Sequence, residues 1–209
     1  MFFTSCGHKN DIERANAQLG ELYGNMLDMD YSDVPIEQVD SLIDVFSVEG
    51  ERRGEAVCRL IKGAKLYGHN DCVGAIDELK YAERYIDYEG VEFGRLCYYL
   101  SRILVVDNPY QSDYYAHRLV AWAEANEDVE MLAFGNKLLM NMTENLDSAI
   151  YYRNVAVRMF ALGGDTLMCE KTNARFAIRF LEQLPADSIV ELILGNFNSL
   201  LTSQFPIFN

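Results

Sequence analysis

A chain of 209 residues with 50% hydrophobic content can bury a substantial core, as one domain or as a short stack of repeats. Its 32 acidic residues outnumber 18 basic ones, giving a formal charge of −14, which makes attraction to nucleic-acid backbones or anionic lipid surfaces unfavourable. Nucleic acid is therefore excluded as a first partner; the acidity reads first as a solvated helical surface and second as an acidic groove for a basic partner. No stretch reaches about 18 uninterrupted apolar residues. Even the run 91–106 is broken by Glu92, Arg95 and Arg102. Cys6, Cys58, Cys72, Cys97 and Cys169 are far apart, odd in number and without CxxC spacing, which disfavours structural zinc and a disulfide framework.

The chain opens Met1-Phe2-Phe3-Thr4-Ser5-Cys6-Gly7. This resembles a bacterial lipobox, in which small residues precede a cysteine that is lipidated after cleavage. Thr4 and Ser5 suit the small positions, and Phe3 stands where leucine is usual. Too few residues come before them to form the charged and apolar regions of a working signal. Two explanations stay open: a start codon placed too late in a longer lipoprotein gene, or a cytoplasmic protein with an accidental FTSC. The first implies lipidation of Cys6, with residues 1–10 as a disordered tether and attachment to a membrane through the lipid only. Residues 11–209 are then expected to form a single helical repeat domain.

From Ile12 the apolar residues Ile12, Ala15, Leu19, Leu22 and Met26 alternate steps of three and four, the mark of one buried helix face. Pro35 suits the first turn of a second helix, with stripe Ile36, Val39, Ile43 and Phe46 and a stop at Gly50. Helices over 51–67 and 71–85 follow, with stripes Val57, Leu60, Ala64, Tyr67 and Ile76, Leu79, Ala82. The link Gly68-His69-Asn70-Asp71 supplies a C-terminal glycine and capping side chains. The spacing predicts further helices over 91–106, 110–125 after Asn108-Pro109, 131–142, 147–162, 167–184 and 186–201. Short turn signals make each successive pair an antiparallel hairpin.

A repeat is visible within this run. Ala75, Leu79 and Ala82 have counterparts in Ala116, Val120 and Ala123, each 41 residues on (116 − 75, 120 − 79, 123 − 82). The small, large, small pattern resembles the second helix of a tetratricopeptide repeat, and Gly63-Ala64 with Tyr67 resembles the small and aromatic positions of that family's first helix. The resemblance covers residues 51–126 most clearly; Ala174, Ile178 and Leu181 share its spacing, and either Ala149 or Ala174 could carry the alternation onward. The period exceeds that family's 34 residues, and Trp122 falls in a second helix. What the resemblance implies is an all-α fold, a right-handed superhelical stack of antiparallel hairpins forming an α-solenoid, whose first helices line a concave groove.

The residues that could carry chemistry have structural readings beside the functional ones. His69 and Cys72 are spaced as two metal ligands, but no second pair completes a site. His117 has no HExxH context, and no serine or cysteine motif points to nucleophilic catalysis. Asp77 with Glu78, and Glu127 with Asp128, read as solvated charge, and Gly163-Gly164 reads as a helix boundary rather than a phosphate loop. Neither catalytic residues nor a cofactor site is expected.

The aromatic residues are more informative, because tyrosine joins apolar area to a hydrogen-bonding tip. Tyr67, Arg95, Tyr98, Tyr99 and Arg102 lie on predicted first helices and are the partner-binding candidates, with packing between repeats as the other reading for the tyrosines. Leu194, Phe197, Leu200, Leu201, Phe205, Ile207 and Phe208 form an apolar C-terminal end, expected either to continue into further repeats or to self-associate. The expected function is a protein-interaction scaffold holding a peptide or protein, lipid-anchored on the extracytoplasmic side of a bacterial envelope or else cytoplasmic. The alternative is the sensor or partner-binding region of a larger bacterial signalling regulator. An enzyme or small-ligand carrier would need a closed polar pocket for which no residue set argues.

Overall fold

The computed structural model describes residues 5–24, 34–185 and 187, with side chains from residue 11 onward. Among the described residues it is all-helical, with nine α-helices and no strand. These are α1 (Ser5–Gly24), α2 (Ile36–Glu49), α3 (Arg52–Gly68), α4 (Cys72–Ala82), α5 (Val91–Leu104), α6 (Pro109–Ala125), α7 (Val129–Met142), α8 (Leu146–Leu162) and α9 (Thr166–Arg179). The side chain of Cys6, the predicted helix over 186–201 and the apolar residues 194–208 lie outside the described residues.

The chain forms two compact units, Met1–Ile103 and Leu104–Asn209. In the first, α1 packs on α2 and α3, α2 on α3, and α3 on α4. In the second, α6 packs on α7, α7 on α8, and α9 on both α8 and α7. Neighbours in sequence are neighbours in space because the helices, 11 to 20 residues long, are too short to be stable alone and the turns between most of them are short.

Four of those turns share one construction. Gly50, Asn70, Glu127 and Gly164 adopt φ of 72°, 64°, 54° and 77°, the left-handed region that ends a helix. The next residue in each case is acidic, and its N–H donates back across the helix end: Glu51 to Phe46, Asp71 to Leu66, Asp128 to Ala123 and Asp165 to Phe160, each at 2.9 Å. The same residue's carboxylate accepts the backbone N–H three positions on, at Gly54, Gly74, Met131 and Met168. One residue thus closes one helix and caps the next, which fixes a tight reversal. Asn108 and Asn145 cap α6 and α8 in the same way, accepting from Gln111 and Ser148. Gly68, expected to end α3, stays inside it, and Asn70 takes the left-handed position instead. Asparagine tolerates that conformation better than most residues.

The small, large, small pattern is buried as expected in α4, whereas in α6 the buried large residue is Leu119, one position before the expected Val120. Ala75, Leu79 and Ala82 are wholly enclosed, and so are Ala116, Leu119 and Ala123. A Cβ on Gly63 would stand 2.7 Å from Cγ of Leu79 and 3.1 Å from the carbonyl oxygen of Ala75, so α3 and α4 approach at a distance only glycine allows. Gly135 does the same for α7 against Val120 of α6, at 2.7 Å. Val120 therefore packs sideways, half-buried, while Leu119 fills the core position.

The stripe expected in α9 is turned by one residue. Ile178 and Leu181 are 67% and 55% exposed, while Phe176, Ala177 and Phe180 are buried. The two phenylalanines pack with Met140 and Ala149, and one residue is about 100° of helix rotation. Cys58, Cys97 and Cys169 are buried and Cys72 is exposed, none of them in a disulfide; burial pushes the Cys58 thiol up to about 12.

Non-glycine residues held left-handed cost about 1–2 kcal/mol. Glu127→Gly is therefore expected to raise the melting temperature, whereas Asp128→Ala, one residue on, removes a cap worth about 1 kcal/mol and lowers it. Thermal unfolding followed by circular dichroism checks the opposite signs; a loss in both variants would refute the shared turn construction.

Candidate functional site

Four of the five residues singled out from sequence meet on α3 and α5. Tyr98 and Arg102 are one turn apart, so they share a face, and an Arg102 Nη1 donates to the Tyr98 hydroxyl at 2.5 Å. The guanidinium also stands over two rings, 5.1 Å from the centroid of Tyr67 and 5.3 Å from that of Tyr98. Tyr99 meets Tyr67 edge-on at 6.1 Å and Tyr98 at 5.2 Å. Partial burial pulls the Arg102 pKa down, but the surrounding phenols, Tyr98 first, outweigh it and leave the value raised. Tyr98 and Tyr99 are only 7% and 5% exposed, Tyr67 is half-buried, and Arg102 is exposed. The two inner tyrosines thus act as packing that holds the outer pair.

Arg95 belongs elsewhere. It is buried, an Nη1 donates to the Tyr23 hydroxyl of α1 at 2.7 Å, and its guanidinium lies 5.3 Å from that ring's centroid. Burial raises the Tyr23 pKa, Arg95 opposes and Glu92 adds to it, with a net rise that keeps the phenol neutral. Tyr23 lines a groove of about 440 Å³ between α1, α3 and α5, together with Leu19, Val57, Glu51, Arg53 and Glu92. Arg53, exposed, and Glu92, half-buried, approach to 4.0 Å across it, a long and weak pair.

The strongest polar feature of the first unit was not expected from sequence. Glu55 is 1% exposed on α3 and pairs with Arg52 at 2.9 Å and Arg59 at 3.0 Å. Arg59 continues to Glu78 of α4 at 2.7 Å, and Lys62 joins Glu78 at 3.0 Å to Asp40 of α2 at 2.8 Å. Arg59 also stacks on Tyr81, 4.1 Å from the ring centroid, and Arg52 donates to the Tyr81 hydroxyl at 3.0 Å. Glu78 is thus a member of a network across three helices, not the solvated charge its place beside Asp77 suggested. The signal was in the spacing: Glu55, Arg59 and Lys62 are four and three apart, which sets them on one helix face.

His69 sits at the C-cap of α3 and Cys72 is exposed. Among the described residues no three His, Cys, Asp or Glu side chains are grouped to hold a metal. His117 lies 3.7 Å from Asp113 on the exposed side of α6. Gly164 forms the α8–α9 turn, and Asp128 is a cap rather than a free carboxylate. The Tyr67–Arg102 cluster offers π faces and a planar donor fork, the chemistry of recognition. Compared with family models, curated proteins and solved structures, the chain has no significant match to any of them.

Burial raises the Glu55 pKa, but hydrogen bonds from Tyr81, Arg59 and Arg52 outweigh it, and the value is lowered. A carboxyl depressed in the folded state contributes stability above its unfolded pKa and loses it as the pH falls through the folded one. Stability is therefore expected to fall on acidification below the ordinary carboxylate range. Urea midpoints of Glu55→Gln across the same range should show a shallower fall. Arg59→Ala, which leaves Glu55 and Glu78 short of a partner, is expected to cost about 3 kcal/mol at neutral pH.

Proposed function

We propose that this chain is a protein-interaction scaffold of the tetratricopeptide type, its hairpins stacked into a right-handed superhelix. It holds a peptide or protein against the face of the first unit that carries Tyr67 and Arg102. The observation that supports this reading most is the Arg102 guanidinium, accessible yet held in place by the Tyr98 hydroxyl and two aromatic rings. A preorganised arginine beside tyrosine loses little freedom on binding and is the commonest kind of energetic centre in protein interfaces. The close approaches at Gly63 and Gly135, together with the buried triads of α4 and α6, favour stacked hairpins over an irregular helical domain.

The Thr4-Ser5-Cys6 sequence supports lipid attachment at Cys6 on the extracytoplasmic side of a bacterial envelope. The lipid then attaches the chain to the membrane surface.

Mass spectrometry of the protein expressed in its native cell from the full upstream reading frame is expected to find an acylated Cys6. An intact Met1 with a free thiol would move the scaffold to the cytoplasm. Small-angle scattering should give a radius of gyration above the about 17 Å of a compact domain of this length. A photo-crosslinker placed at position 67 should capture a protein partner in that cell, and Arg102→Glu should abolish the adduct while leaving the melting temperature within a few degrees. Persistence of the adduct would remove Arg102 from the binding face.

A further inference from the structure

The outer side of α6, in the second unit, carries an aromatic strip that the core does not use. The helix buries Ser112, Tyr115, Ala116, Leu119, Trp122 and Ala123, which leaves Tyr110, Asp113, Tyr114, His117 and Glu124 on the opposite face. Tyr110 is 89% exposed and Tyr114 is 53% exposed one turn away, and Val106, at 84%, precedes them. Large apolar side chains grouped in the open mark an interaction surface more often than singly scattered ones do.

The charges around the strip define what it fits. Asp107 and Asp113 flank Tyr110 in sequence, and the nearest arginine or lysine that follows them is Arg118. Arg118 already shows how the strip treats a cation: its guanidinium stands 5.4 Å from the centroid of the Tyr114 ring. Tyr110 presents the same kind of face to solvent, between Asp107 and Asp113, both exposed.

We propose that the α6 face, centred on Tyr110 and Tyr114, docks a basic segment of a partner protein. Lysine or arginine side chains lie over the tyrosine rings and pair with Asp107 and Asp113. The complementarity is electrostatic and aromatic together: the carboxylates draw the cation in, and the rings hold it where water competes less. The proposal does not rest on the Tyr67–Arg102 face of the first unit.

The test uses the full chain and a fluorescein-labelled peptide of alternating arginine and glycine, with its glutamate–glycine counterpart, in anisotropy titrations at low and physiological salt. The arginine peptide should bind and the glutamate peptide should not. Tyr110→Ala, which changes no charge, and the pair Asp107→Asn with Asp113→Asn should each weaken binding by about tenfold. The control pair Glu37→Gln with Asp44→Asn, exposed on α2, removes the same charge and should change it by less than about twofold. All these side chains are exposed, so the variants keep their fold, which a thermal melt verifies. Failure of the arginine peptide to bind would overturn the proposal, as would equal weakening by the control pair, since attraction would then come from net charge alone. Tyr110-dependent dimerisation in sedimentation would assign the face to a second copy and overturn it equally. None of these outcomes bears on the adduct expected at Tyr67.

Discussion

Every α-helix ends with four N–H and four C=O groups that it cannot satisfy itself, and the rest of this fold depends on how those ends are closed. At Glu51, Asp71, Asp128 and Asp165 a single acidic residue serves both sides of the turn, its N–H returning to the finished helix and its carboxylate accepting from the new one. That double use leaves little freedom in the direction of the next helix. A carboxylate at this position also faces the positive end of the new helix's dipole. Part of the chain's acidity is thereby consumed by its architecture rather than displayed.

The same constraint explains where close packing occurs. Once a turn has fixed two helices side by side, the distance between them is set by the smallest residues at the crossing. Gly63 against Leu79 and Ala75, and Gly135 against Val120, are those crossings. With the backbones so near, the interhelical space takes alanines and one large side chain, as in Ala75, Leu79, Ala82 and in Ala116, Leu119, Ala123. Where the contact is polar instead, as along α3, two arginines and a phenol pair with the buried Glu55 carboxylate and lower its pKa.

Helix positions were legible in the sequence because they rest on local signals. The periodic stripes, Pro35, Asn108-Pro109 and the acidic caps each act within a few residues, and α2 to α9 fall near where those signals put them. The buried alanines 41 residues apart were legible for the same reason, but the large residue between them in α6 is Leu119 rather than the expected Val120. What local signals could not settle was rotation and partner. In α9 both Ala174-Ile178-Leu181 and Thr172-Phe176-Phe180 satisfy a helical period; only the neighbouring Met140 and Ala149 decide between them. Glu78 looked solvated because its partners, Arg59 and Lys62, are on another helix. Of the candidate residues, Tyr67, Tyr98, Tyr99 and Arg102 do come together, but their number alone could not say which face outward. Arg95 shares α5 with Tyr98, Tyr99 and Arg102, and its side chain turns to Tyr23 of α1 instead.

That separation of Arg95 from Arg102 follows from the helix itself. Seven residues along an α-helix are nearly two full turns, so both arginines lie on broadly the same side of α5 but about 10 Å apart along its axis. At one end the neighbour is α1, whose Tyr23 takes the guanidinium; at the other it is the ring of Tyr67 from α3. An arginine enclosed by a phenol at 2.7 Å is fixed in place and contributes to holding α1, whereas one backed by rings but open on its outer side keeps donors to offer. The same side chain on the same helix is therefore enclosed at one position and open at the other, and the difference lies in what the adjoining helix presents to it.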